Sequence, residues 1–198
     1  QAGFTVFSAI SNPLLIGRAG GGSGFLWGYM DQLQLYNATL RLDEIQYNMW
    51  HREPVESDLA LSFYMDEGTG TTVRDSSGNG NDGSIYEAIW KQLPNGKYYL
   101  SFDGVDDHIL VPYSASIDLP TFSELTLEFV LRIRGWRDVF FADIFEKGFR
   151  PLFRVRKDLG LLFGFFDTEG NWRGAPEGIK REDIIDRWAY VGCVFYAG

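Results

Sequence analysis

The chain is poor in several residue types that would otherwise point to a class. It holds one cysteine, two histidines and three methionines in 198 residues. A lone thiol closes no internal disulfide, so no disulfide framework supports this fold, and the redox compartment cannot be read from cysteine usage. Cys193 alternates with Val191 and Phe195, the pattern of a small buried apolar residue. No apolar run approaches the ~18 residues of a membrane-spanning helix, and no signal peptide opens the chain, so no membrane insertion is expected. Basic residues are few and scattered: 18 Lys and Arg against 27 Asp and Glu leave a formal charge of −9. Neutralising phosphates takes clustered Lys and Arg, so neither nucleic acid nor an anionic membrane surface is an expected partner. His51 and His108 have no Cys or Ser partner at a meaningful spacing, which leaves zinc and nucleophilic catalysis without support.

What the chain has in plenty is aromatic residues, at 16%, and glycine, with 23. The clearest pattern runs over Leu125–Arg134, where Leu125, Leu127, Phe129, Leu131 and Ile133 share one face and Thr126, Glu128, Arg132 and Arg134 the other. That period of two predicts a strand with one face buried. Further strands are expected over Trp27–Tyr36, Leu59–Met65, Tyr98–Phe102, His108–Val111, Leu152–Arg156, Gly160–Phe166 and Trp188–Tyr196, separated by Gly- and Asn-rich turns. Many short strands with almost no helical periodicity predict an all-β, two-sheet antiparallel sandwich. One short helix is expected over 42–50, followed by a polar connector at 51–58.

The strings Asp75-Ser-Ser-Gly-Asn-Gly-Asn81 and Phe102-Asp-Gly-Val-Asp-Asp107, with Phe122 to Arg134, closely resemble the first half of a laminin-G-like domain of the concanavalin A-like lectin and glucanase superfamily. Phe145-Glu-Lys-Gly148 and residues 188–198 resemble its middle. Pro13-Leu-Leu-Ile-Gly17 and Phe25 to Leu40 resemble its end. The resemblance implies a jelly-roll sandwich with its segments in permuted order: the C-terminal part at 1–50, a linker at 51–58, and the N-terminal and middle parts at 59–198. Two explanations stand side by side, a piece of a tandem array cut inside two successive repeats and a circular permutant. The combined length of the two parts is near that of one such domain, so one shared core is expected, closed within the chain or by segment exchange with a neighbour. The opening Gln-Ala-Gly, without an initiator methionine, favours a piece of a longer protein.

Alternation places Asp31 on the side of Leu33 and Leu35, the expected core side, where a carboxylate is costly unless paired or bound to a cation. No Lys or Arg lies in its strand, and the acidic loops 75–82 and 103–107 offer only oxygens. Oxygen donors without basic neighbours suit a hard cation, with Ca²⁺ first. The resemblance implies the same ion. Asp31 and Asp103 are the expected side-chain ligands, joined by Asp75 or Asn81 and by loop carbonyls. The alternative is that Asp75, Asn79 and Asn81 cap turns and Asp103 accepts backbone N–H groups. Trp136 and Trp172, flanked by Arg in expected loops, are the candidate sugar-stacking residues, while Trp27, Trp90 and Trp188 are expected to fill the core. The paired carboxylates of sandwich-fold glycosidases have no counterpart: a Glu-x-Asp-x-x-Glu string is absent, and Glu182-Asp183 with Asp186 reads as a solvated run. Asn37-Ala38-Thr39 is an N-glycosylation sequon, consistent with an extracellular setting. Together these features lead to the expectation of a non-catalytic, calcium-stabilised carbohydrate- or protein-binding adhesion module at a cell or virion surface. A self-assembling structural subunit is the alternative, and a glycoside hydrolase the outsider.

Overall fold

The computed structural model describes residues 11–118, 124–135, 141–147, 150–156, 160–166, 172–174 and 179–196. Fourteen strands are seen among them. In chain order they are β1 (Leu14–Ile16), β2 (Trp27–Tyr36), β3 (Leu59–Phe63), β4 (Thr72–Val73), β5 (Gly83–Tyr86), β6 (Ile89–Gln92) and β7 (Tyr98–Asp103). They continue as β8 (His108–Val111), β9 (Glu124–Gly135), β10 (Phe141–Lys147), β11 (Arg150–Arg156), β12 (Gly160–Phe166), β13 (Trp172–Gly174) and β14 (Ala189–Tyr196). Two α-helices accompany them, α1 (Leu42–His51) and the single turn α2 (Arg181–Ile184), with a 3-10 turn at Ala115–Ile117.

The strands form two antiparallel sheets. One has the order β13-β12-β11-β10-β1-β8-β5-β4, the other β14-β9-β2-β7-β6, with β3 also paired to β2. The molecule is therefore the expected two-sheet sandwich. Period-two alternation explains β9: Leu125, Leu127, Phe129, Leu131 and Ile133 are all buried in the core. Leu14, Ile16, Ile109, Val111 and Phe145 meet them from the facing sheet, and Phe129 and Phe153 touch edge to face, centroids 4.6 Å apart. Residues from the first fifty lie inside both sheets. β1 is hydrogen-bonded between β8 and β10, and β2 between β9 on one side and β7 and β3 on the other. The two stretches thus bury their apolar faces in one core.

Helix α1 covers part of the outer face of the second sheet. The Glu44 carboxylate accepts the Arg41 N–H at 2.8 Å, which closes the helix start. Ile45 lies over Gly192, where a Cβ would come within 3.3 Å of its Cγ2, so the bare glycine lets the helix settle on β14. The connector expected to be a plain linker is tied down. Arg52 adopts a left-handed conformation (φ 55°) as the helix cap, Val55 donates its N–H to Asn48 Oδ1, and Asp58 accepts the N–H of Asn37.

Candidate functional site

Strand β2 decides where Asp31 goes. Its pairing with β9 shifts register between Met30 and Gln32, and at the same level its other neighbour changes from β7 to β3. Such a bulge sets two residues of one strand against one of the other and reverses the sides that later residues face. Met30, Leu33 and Leu35 are all in the core, while the Asp31 carboxylate, only 3% exposed, meets α1. There Arg52 donates two N–H groups to it, at 2.6 and 3.0 Å. The expectation of Asp31 as a metal ligand on the core side is corrected on this ground: the cation facing it is a guanidinium, invisible to a reading confined to the strand.

The other expected ligands also have partners. Asp75 Oδ1 accepts the N–H groups of Ser62 at 3.0 Å and Ser77 at 2.9 Å, and Oδ2 accepts the Ser77 hydroxyl and the Asn81 N–H, each at 2.9 Å. Asn81 donates to the Ala60 carbonyl and to Ser116, each at 3.0 Å, and accepts the Ser114 hydroxyl at 2.6 Å. Asp75 and Asn81 thus pin the glycine-rich turn to β3, the capping role that was the alternative for them. Asp103 Oδ1 accepts the Val105 N–H at 2.7 Å, and its own N–H donates to Asp107 Oδ2 at 2.6 Å. Asp103 pairs with Trp27, at the end of the β2–β7 ladder away from Asp31, so the four expected ligands do not form one shell. The acids that do gather are Asp103, Asp106 and Asp107, with carboxylate oxygens within 4.8 Å of one another. That donor set suits Ca²⁺ in charge and hardness, and it leaves several carboxylate oxygens beyond the two already used.

Burial, with the charges of Asp103, Asp106 and Glu87, raises the Asp107 carboxyl to about 6. Burial together with the neighbouring Asp143 raises Glu146 to about 7. A carboxyl harder to ionise in the folded chain holds more protons folded than unfolded. Its stabilising effect is therefore complete below the ordinary carboxylate value of about 4 and is lost as pH rises through the folded value. The melting temperature is accordingly expected to rise when pH is lowered from about 8 to about 6.5 in the presence of chelator. A flat or falling melting curve over that interval would count against these two burials.

The outer face of the second sheet, past the end of α1, carries an aromatic cluster. Tyr29 of β2 meets Tyr99 of β7 edge to face at 5.4 Å, and Trp188, just before β14, lies 5.4 Å from Tyr99 and 6.1 Å from Tyr29. Arg132 and Arg134 of β9 sit over the Tyr29 ring at 5.7 and 5.8 Å, and Arg134 also lies 5.4 Å from the Trp27 ring. Trp188 is 37% exposed. Trp27 and Trp188 were expected in the core, and both belong instead to this outer cluster. For Trp188 a signal was present: Val191 faces the core, with Ala189, Cys193 and Phe195 packed against it, so even-numbered neighbours face out. Trp27 and Tyr29 follow from the bulge. Trp90 does pack on the core, its Nε1 donating to the Gly70 carbonyl at 2.9 Å. Burial pushes the Cys193 thiol up to about 12, which keeps it an unreactive filler. Trp136 lies outside the described residues, and Trp172 opens the edge strand β13 opposite Phe166.

Among the described residues no helix is long and apolar enough to cross a membrane. Compared with protein families, curated proteins and solved structures, the chain finds no match in any of the three.

Proposed function

We propose that this chain is a non-catalytic glycan-binding module of an extracellular, cell-surface or virion-surface protein. The observation that supports this most is the exposed Trp188, held against Tyr29 and Tyr99 beside two arginines on a rigid sheet face. A flat aromatic ring offers a sugar its apolar face, and polar groups at the rim orient the hydroxyls. The non-catalytic part of the reading rests on the missing Glu-x-Asp-x-x-Glu string. The test is a glycan array followed by calorimetry on the hits. Trp188→Ala is expected to weaken binding about tenfold, the worth of one aromatic contact, and to lower the melting temperature by a few degrees through the lost Tyr29 and Tyr99 contacts. An array without hits, or hits indifferent to Trp188→Ala, would remove this reading.

Calcium at Asp103, Asp106 and Asp107 belongs to the same proposal, supported by their grouping. Saturating Ca²⁺ is expected to raise the melting temperature by a few degrees, an effect that Asp106→Asn reduces and that weakens as pH falls and protons compete for the carboxylates. Identical melts with calcium and with chelator would exclude the ion.

A second reading, self-assembly, is favoured by α1, where Leu42 is 70% and Trp50 76% exposed. A mass in solution that stays monomeric as concentration rises would dismiss it.

A further inference from the structure

We infer that the glycan taken by the Trp188 face is anionic, its carboxylate or sulfate held by Arg134 with help from Arg132; this rests on the glycan-binding reading above.

Arg134 is exposed and, among the described residues, makes no hydrogen bond or ion pair. It is held by ring contacts with Trp27 and Tyr29 instead. Stacking fixes a guanidinium plane without engaging any of its five N–H donors, so the fork stays positioned and open. In this chain of net charge −9, Arg52 finds Asp31 and Arg154 finds Asp143. Arg134 does not. Asp103, opposite Trp27, is occupied by the Val105 N–H and forms no ion pair with Arg134.

Arg132 supplies the second observation. Among the described residues its one ion pair is a long one, 3.5 Å, from Nη2 to the exposed Asp186, and its side chain is 37% exposed. A guanidinium so loosely engaged at the surface keeps N–H donors for an arriving acceptor. Both guanidiniums lie on Tyr29, and Tyr29 touches Trp188, so stacking surface and anion-binding donors are one ring apart. Carboxylates match the planar fork in bidentate fashion, and sulfates match it less closely. A groove of about 980 Å³ lined by Tyr47, Glu53, Glu56, Tyr64 and Ser77 includes two acids and no basic residue, and would repel such a ligand.

The test is calorimetry with oligogalacturonate, sialyllactose, a heparin-derived hexasaccharide, neutral lactose and a neutral galactan oligosaccharide, using poly-L-glutamate as a non-sugar polyanion. At least one acidic sugar is expected to bind ten times or more tighter than the neutral ones. Arg134→Gln should erase that advantage and leave the melting temperature unchanged, Arg134→Lys should restore only part of it, and Trp188→Ala should weaken all sugars alike. Stronger carboxylate than sulfate binding would identify the bidentate fork; the reverse order would identify sulfate as the anion. Equal affinity for neutral and acidic sugars, untouched by Arg134→Gln, overturns the anionic preference while the module reading survives. Poly-L-glutamate binding as tightly as the sugars overturns it too, since the face would then be a simple ion exchanger. If none of the acidic sugars binds, the inference falls, and array hits on neutral glycans alone would separate that outcome from failure of the module reading.

Discussion

Arg52→Ala should destabilise the chain by roughly 3 kcal/mol, because it strands the Asp31 carboxylate in a place that water hardly reaches. The pair is bidentate, and its loss leaves a buried charge without a counterion rather than merely removing a contact. The companion experiment is Arg52→Ala with Asp31→Asn. If the cost comes from the orphaned charge, the double variant recovers most of the lost stability in a denaturant titration. If both variants are equally unstable, the packing of the Arg52 stem matters more than its charge. The result also probes the connector, since Arg52 is the point where residues 51–58 fasten to β2.

Asn48→Ala is the second large effect, expected at about 3 kcal/mol. Asn48 donates to Tyr36 Oη at 2.9 Å and Glu128 Oε2 at 2.7 Å, and accepts the Val55 N–H at 2.9 Å. Glu128 is fully buried under α1, and burial raises its carboxyl above the ordinary range, with the bond from Asn48 opposing that rise. Removing Asn48 takes away one of the donors that favour the ionised form, so the carboxyl should rise further. A group so raised stabilises most at low pH and least once pH exceeds its folded value. The penalty of Asn48→Ala should therefore be smaller near pH 5 than near pH 8, which denaturant titrations at the two pH values can resolve. A penalty independent of pH would show that Glu128 is already protonated throughout.

These two residues also mark where sequence reading succeeds and where it stops. Strand β9 is legible because one face is uniformly apolar, and the bounds of β2, β8 and β12 are legible because apolar runs there meet Gly-, Asn- or Asp-rich turns. Helix α1 is legible from its spacing, to within one residue. Strand β1 is too short to show a period. Strand β10 hides its period behind two register shifts, with Asp143 and Glu146 buried among apolar neighbours. The site suffers from the same limit. A one-residue bulge reverses every side chain beyond it, and nothing in Trp27–Tyr36 announces one. Uniform alternation therefore assigns Asp31 to the core side, whereas the bulge turns it toward Arg52. The Asp103 loop was found because its acids are close in sequence, whereas the Trp188 cluster unites residues from four separate strands or their ends.

The central position of β2 has a consequence for synthesis. Trp27 pairs with Gly135 and Tyr36 with Thr126, so the strand leaves the ribosome roughly a hundred residues ahead of its main partner, about 5 to 20 s earlier at ordinary elongation rates. During that interval β3 and then β7 can reach one edge, but the edge that β9 covers stays open and the apolar side chains of Met30, Leu33 and Leu35 lack most of their core. Pairing over such a span also slows closure once the chain is complete, toward the millisecond-to-second range of β-rich folds. A nascent chain of this kind is a natural client for a holding chaperone, and truncation before β9 should yield insoluble protein rather than a smaller folded unit.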